Sequence, residues 1–219
     1  MSSVEYRPLL MRANRLLGSA LIEHNLVKFE DLEAANERLL EIAASGQVRQ
    51  SSVLNILVYE KKVLREEDVL HHVVDDHGVG VVDLRGYDVP DDVRKEMDLD
   101  ACWATWSVPF DREEDFHFVA TAYYLSPAVR SHWEKKLGGQ IIWQATTMDI
   151  IADFLDRMQA ERAESAKRGS RPPFAVGGSN PPVPARPASN PPMPAPPTGS
   201  GHTPLPFPGS SSGKPASTL

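Results

Sequence analysis

From residue 9 to 76, apolar side chains recur at three- and four-residue intervals, which is the periodicity of amphipathic helices. Leu10, Leu17, Leu21 and Ile22 define a first helix, and Asn25 can end it in a left-handed conformation. A second helix is predicted from about Phe29 to Ala44. Leu32, Ala35, Asn36, Leu39 and Leu40 form its inner stripe, and Gly46 stops it. A third runs from about Ser52 to Tyr59. A fourth runs from Glu66 to about Asp76 and carries Val69, Leu70, Val73 and Val74. Glu66, Glu67 and Asp68 in its first turn suit the positive end of the helix dipole.

After His77-Gly78 the period changes. Gly78–Leu84 reads as a short apolar strand, and Val89-Pro90-Asp91-Asp92 opens a short helix to about Met97. Thr105–Phe110 and Phe116–Thr121 alternate around a charged tip, the pattern of a hairpin. Ser126-Pro127 is a helix start, with serine as N-cap and proline at the first helical position. That helix stops at Gly138-Gly139. Gln140–Ala145 is a further strand, and Thr146 or Thr147 caps a last helix to about Arg162. The order of elements predicts an α+β fold: duplicated helical hairpins (residues 1–77), a small α/β sandwich sub-domain (78–164), and a disordered proline-rich tail (165–219).

The duplication is visible directly. Leu17-Gly18-Ser19-Ala20-Leu21-Ile22-Glu23-His24-Asn25-Leu26-Val27 is followed by Asp31-Leu32. Leu54-Asn55-Ile56-Leu57-Val58-Tyr59-Glu60-Lys61-Lys62-Val63-Leu64 is followed by Asp68-Val69. Each copy reads as helix, short turn, apolar pair, helix. In the tail, Ser179-Asn180-Pro181-Pro182-Val183-Pro184-Ala185 is nearly repeated as Ser189-Asn190-Pro191-Pro192-Met193-Pro194-Ala195, a composition that favours extended polyproline II.

Charge sharpens the division. Residues 1–164 hold 18 basic against 30 acidic residues, a net −12, while the remainder carries +5. Such an acidic body repels phosphate backbones, so duplex nucleic acid is not an expected partner. No run approaches the roughly 20 apolar residues that span a bilayer. The N-terminus shows no signal-peptide pattern, and the single Cys102 excludes an internal disulfide framework. A cytoplasmic location is expected, with attachment to the inner membrane through a partner left open.

The two hairpin copies, the strand Val81-Val82-Asp83-Leu84 and the following Gly86-Tyr87-Asp88-Val89-Pro90 resemble the N-terminal domain of type II secretion and type IV pilus assembly ATPases over about residues 9–160. The first half resembles that family's cyclic di-GMP-binding sub-domain. Each copy of the family pattern is roughly Arg-Leu-Gly, an apolar run, a glycine-led turn, an apolar pair, and a helix ending in Leu-x-x-Gln. The resemblance implies a ligand face at Arg15, Leu17, Gly18, Asn25, Leu54 and Asn55. The polar positions of that face have changed. Leu16 stands where arginine is expected, and Arg15, one residue earlier, is rotated by about 100° on a helix. Asn25 and Leu39 replace the turn glycine and the closing glutamine of the first copy. Val53, Asn55, Lys62 and Asp76 replace the corresponding polar and glycine positions of the second. The retained framework with an altered ligand face implies a free-standing regulatory domain without the motor.

Other candidates read as structural. Gly209-Ser210-Ser211-Ser212-Gly213-Lys214 is one residue short of a phosphate loop, and Pro215 replaces the Ser/Thr that would meet magnesium. His71 with Asp75 and His72 with Asp76 have i,i+4 spacing near His77. His77 could add a third ligand, but no carboxylate or cysteine elsewhere evidently completes a metal set, and they read as a solvated helix face with local ion pairs. Cys102 lies among apolar neighbours and reads as buried. The carboxylate pairs at residues 75–76, 91–92 and 113–114 read as solvated charge. Trp133 is the aromatic expected to be partly exposed as a partner anchor. Pro181, Pro182, Pro184, Pro191, Pro192 and Pro194 offer a polyproline docking motif. The functional expectation is a non-catalytic adaptor with no cofactor. It would bind a secretion or pilus ATPase, or that ATPase's membrane anchor. The alternative is a cyclic di-GMP sensor.

Overall fold

Helix α1 spans Arg7–Glu23 with proline in its first turn. Asn25, at φ 57°, turns the chain directly after it, the left-handed conformation that asparagine tolerates. The computed structural model describes residues 5–45 and 52–169. α2 is Phe29–Ala44, with Glu30 and Asp31 in its first turn. α3 (Val53–Asn55) is capped by the Ser52 hydroxyl, which accepts from the Asn55 amide at 3.0 Å. It runs on as a π-turn, Ile56–Glu60. The regular helix expected over residues 52–59 is thus widened. Val53, Leu54, Ile56 and Leu57 are all fully buried. α4 (Glu66–His77) ends at Gly78, φ 66°. The second hairpin turns at Lys62, φ 55°, the position equivalent to Asn25 at the same offset of 37 as Leu17 and Leu54.

Beyond α4 the fold is mixed. β1 is only Gly80–Val81, shorter than the strand expected over 78–84, and pairs parallel with β4 (Gln140–Ala145). β4 pairs parallel with β3 (Phe116–Thr121), which pairs antiparallel with β2 (Ser107–Glu113), giving the order β1-β4-β3-β2. α5 is Asp91–Glu96, α7 Pro127–Leu137 and α8 Met148–Gly169. α6, Leu99–Thr105, carries no periodic signal, because all ten residues from Ala101 to Phe110 are buried. Asp98 caps α6 by accepting from the Ala101 amide at 3.1 Å, and Trp106, at φ 47°, ends it. Among the described residues no helix is long and apolar enough to cross a membrane. The expected α+β class is what the chain adopts, and Ala13, Leu17, Leu54, Val73, Tyr123, Trp133 and Phe154 belong to one apolar cluster.

Two expected roles change. Leu40, placed in the inner stripe of α2, is 58% exposed. Ser126 precedes Pro127 as expected, but its hydroxyl makes no cap and donates to the Ala13 carbonyl of α1 at 2.9 Å.

A buried amide joins the hairpins to the sheet. Asn14 Nδ2 donates to the Leu10 carbonyl at 2.9 Å. Its Oδ1 accepts from the Val53 amide at 2.7 Å and from the Tyr123 hydroxyl at 2.8 Å. Ser52 Oγ lies 2.7 Å from the same hydroxyl. Asn14→Ala would strand these buried partners, and we expect a loss of about 2–4 kcal/mol in urea melts.

A second tie is ionic. Burial works against ionisation of Asp98. Bonds from Lys136 Nζ (2.6 Å), the Tyr6 hydroxyl and the Ala101 amide nevertheless hold its pKa down to about 2. A depressed carboxylate stabilises the fold above its ordinary pKa of roughly 4, and that stabilisation fades as pH falls toward 2. Asp98→Asn should therefore cost about 1–2 kcal/mol at pH 7 and flatten stability between pH 4 and 2, as read by chemical denaturation across pH.

Candidate functional site

α1 and α2 leave a groove of about 630 Å³, lined by Met11, Arg12, Arg15 and Leu16 from one helix and Asn36, Leu39 and Leu40 from the other. Its apolar content follows from the periodicity. α1 and α2 bury one face on the core, and Leu16 and Leu40 fall just outside that face. Arg12 and Arg15 are exposed, and among the described residues neither guanidinium forms an ion pair. Two unengaged cations therefore rim an apolar floor on an otherwise acidic body.

The six residues of the expected ligand face do not stay together. Leu17 and Leu54 are fully buried core side chains. Gly18 is buried against α2, and a Cβ there would meet Leu32 Cδ1 at 2.7 Å, so its missing side chain serves helix packing. Asn25 is used by the turn, and Asn55 is half-buried in α3. Of the six, Arg15 alone lines the α1–α2 groove.

Trp133 is not a surface anchor. It is 1% exposed, and its Nε1 donates to the Thr105 hydroxyl at 3.1 Å, so the indole belongs to the core where α7 meets α6. Tyr124 and Trp143 are part-exposed, with rings 6.3 Å apart. The tail prolines Pro181, Pro182, Pro184, Pro191, Pro192 and Pro194 lie outside the described residues.

No family model and no curated protein matches the chain. Among solved structures, it is similar to a structure of MshE with cdg, at 18% identity and a TM-score of 0.42, covering 65% of this chain and 97% of that one. It is also similar to the N-terminal domain of XpsE, at 17% identity and a TM-score of 0.43, covering 64% and 91%. Neither likeness carries a ligand or a partner over to this chain.

Several other ionisable groups serve the fold. Glu66 is buried, and burial raises its pKa. It accepts from the Met148 amide at the start of α8 and from the Tyr59 hydroxyl at 3.1 Å. The same hydroxyl lies 3.1 Å from Asp149 Oδ2, on a cleft of about 530 Å³. Burial first, then these carboxylates, push the Tyr59 phenol up, which keeps it protonated. His72 and Asp76 do form the expected pair, Nδ1 to Oδ2 at 2.5 Å. The helix is not self-contained, however, because His24 from the first hairpin joins His72 and His77.

Cys102 is fully buried, and burial raises its thiol pKa far above the reactive range. The native protein should not react with Ellman's reagent on a minutes timescale and should release one equivalent once unfolded in guanidinium, measured at 412 nm.

Proposed function

We propose that this chain is a non-catalytic adaptor that binds a protein partner through the α1–α2 groove. The observation that carries the reading is Leu40, 58% exposed in a groove rimmed by Arg12 and Arg15. An exposed leucine on an apolar floor gains from coverage, at roughly 25 cal/mol for each Å² removed from water. The two arginines, free of ion pairs among the described residues, select carboxylates. The occupant is a partner helix with apolar side chains at i, i+3/i+4 spacing flanked by Asp or Glu. The sequence resemblance makes a secretion or pilus assembly ATPase, or its membrane anchor, the first partner to try. The site would then act at the inner membrane face through that partner.

A second reading uses the same groove. Arg15 and Asn36 could meet a phosphate and a base edge of cyclic di-GMP on the apolar floor. The burial of Leu17 and Leu54 and the filling of the Gly18 notch by Leu32 count against it.

Both readings are tested on the full chain. The adaptor reading expects a candidate ATPase or anchor to bind in the micromolar range by calorimetry. Leu40→Asp and Arg15→Glu should each weaken that binding at least 10-fold while thermal stability changes little, since both side chains are exposed. Unchanged binding by both variants, or no binding by any component of such a machine, would overturn it. Micromolar affinity for cyclic di-GMP, lost in Arg15→Ala, would favour the second reading.

A further inference from the structure

Three imidazoles meet where the end of α1 approaches the end of α4. His24 follows the last residue of α1. His72 and His77 lie on the last two turns of α4. One ring nitrogen from each lies within 4.8 Å of the others, and the His24 and His72 rings have centroids 4.3 Å apart. His77 stands edge-on to both, at 6.0 and 5.7 Å.

The His72 ring is prepared for more than packing. Its Nδ1 lies 2.5 Å from Asp76 Oδ2, and an imidazole N–H given to that carboxylate leaves the lone pair on Nε2. That Nε2 is buried and has no hydrogen-bond partner. A buried nitrogen with an available lone pair and no donor is costly unless something occupies it. A carboxylate held behind an imidazole is the arrangement that orients metal-ligating histidines. His77 also lies against the Tyr124 ring, with centroids 5.4 Å apart. Arg130 is held over the Tyr124 ring, 4.9 Å from its centroid, and donates to the Tyr124 carbonyl at 3.3 Å.

We propose that His24, His72 and His77 bind one zinc ion. Imidazole suits zinc among the common divalent ions, and Zn–N bonds of about 2.0–2.1 Å in a tetrahedral set require ring nitrogens roughly 3.3 Å apart. Binding requires the ring nitrogens, now within 4.8 Å of one another, to close to that value by side-chain rotation. Three protein ligands leave a fourth position for water or for a carboxylate or imidazole of a bound partner. The ion would clamp the end of α1 to the end of α4, joining the turn of the first hairpin to the last helix of the second through a bond that neither helix makes alone.

The test uses the full chain produced without a polyhistidine tag, stripped with chelator and titrated with zinc chloride at pH 7.5. One equivalent should bind with micromolar or tighter affinity. At a hundredfold excess over Kd, Tm should rise by about 5–10 °C. Cobalt should give the intense visible bands of a tetrahedral site. His72→Ala, and the pair His24→Ala with His77→Ala, should lose at least tenfold in affinity, and Asp76→Asn about 10–100-fold through loss of the supporting carboxylate. His71→Ala, on the same helix but outside the cluster, should bind as the parent does. Circular dichroism checks that each variant folds. The proposal is overturned if the parent binds no stoichiometric zinc. It is equally overturned if the triple His24/His72/His77→Ala variant, still folded, binds zinc as tightly as the parent.

Discussion

The Asn14 side chain holds the architecture together. A neutral amide sealed in an apolar interior must satisfy its donors and acceptors or cost several kcal/mol. Here it meets Leu10 of its own helix, the Val53 amide at the start of the second hairpin and the Tyr123 hydroxyl after β3. Apolar contacts alone would tolerate sliding of α1 over its neighbours, whereas directional bonds at 2.7–2.9 Å do not. The first hairpin, the second hairpin and the sheet therefore share one register. Ser126, bonded to the Ala13 carbonyl, repeats the constraint one residue away.

That constraint sets where the residues of the expected ligand face lie. With α1 fixed by Asn14, the side chains of Leu10, Leu17 and Leu21 point inward, and Gly18 must accept the approach of Leu32. Leu16 and Arg15 are turned toward α2, where they line a groove with Leu40. The exposed chemistry of the first hairpin lies in the groove between α1 and α2. A second accumulation of polar groups sits at the hairpin ends, where His24 reaches α4. Groove and imidazole cluster use different residues, so one can be altered without the other.

Elsewhere the polar groups are absorbed by the fold. Glu66, expected simply to favour the positive end of its helix, instead receives the first amide of α8 and ties α4 to the last helix. Asp98 caps α6 and pairs with Lys136 of α7 while accepting from Tyr6. Arg157 and Arg162 of α8 donate to the carbonyls of Tyr87 and Met97. These side chains close loops that carry few backbone hydrogen bonds of their own.

Local patterns made α1, α2, α4, α7, β3 and β4 legible, and with them the α+β class: periodicity for the first three helices, alternation for β3, and boundary residues at Asn25, Gly78 and Gly138 for the ends of α1, α4 and α7. The equivalence of the two hairpins was also legible, and the left-handed turns at Asn25 and Lys62 bear it out. Helix α6 was hidden, since ten consecutive buried residues have no polar face to reveal a period. The exposure of Leu40, the burial of Trp133 and the meeting of His24 with His72 were decided by tertiary structure. Each depends on which neighbour covers a side chain, and that neighbour lies far along the chain: α6 for Trp133, α4 for His24. Local sequence sets a residue's angle on its own helix, but only packing between helices decides whether that angle faces the core, a groove or another histidine.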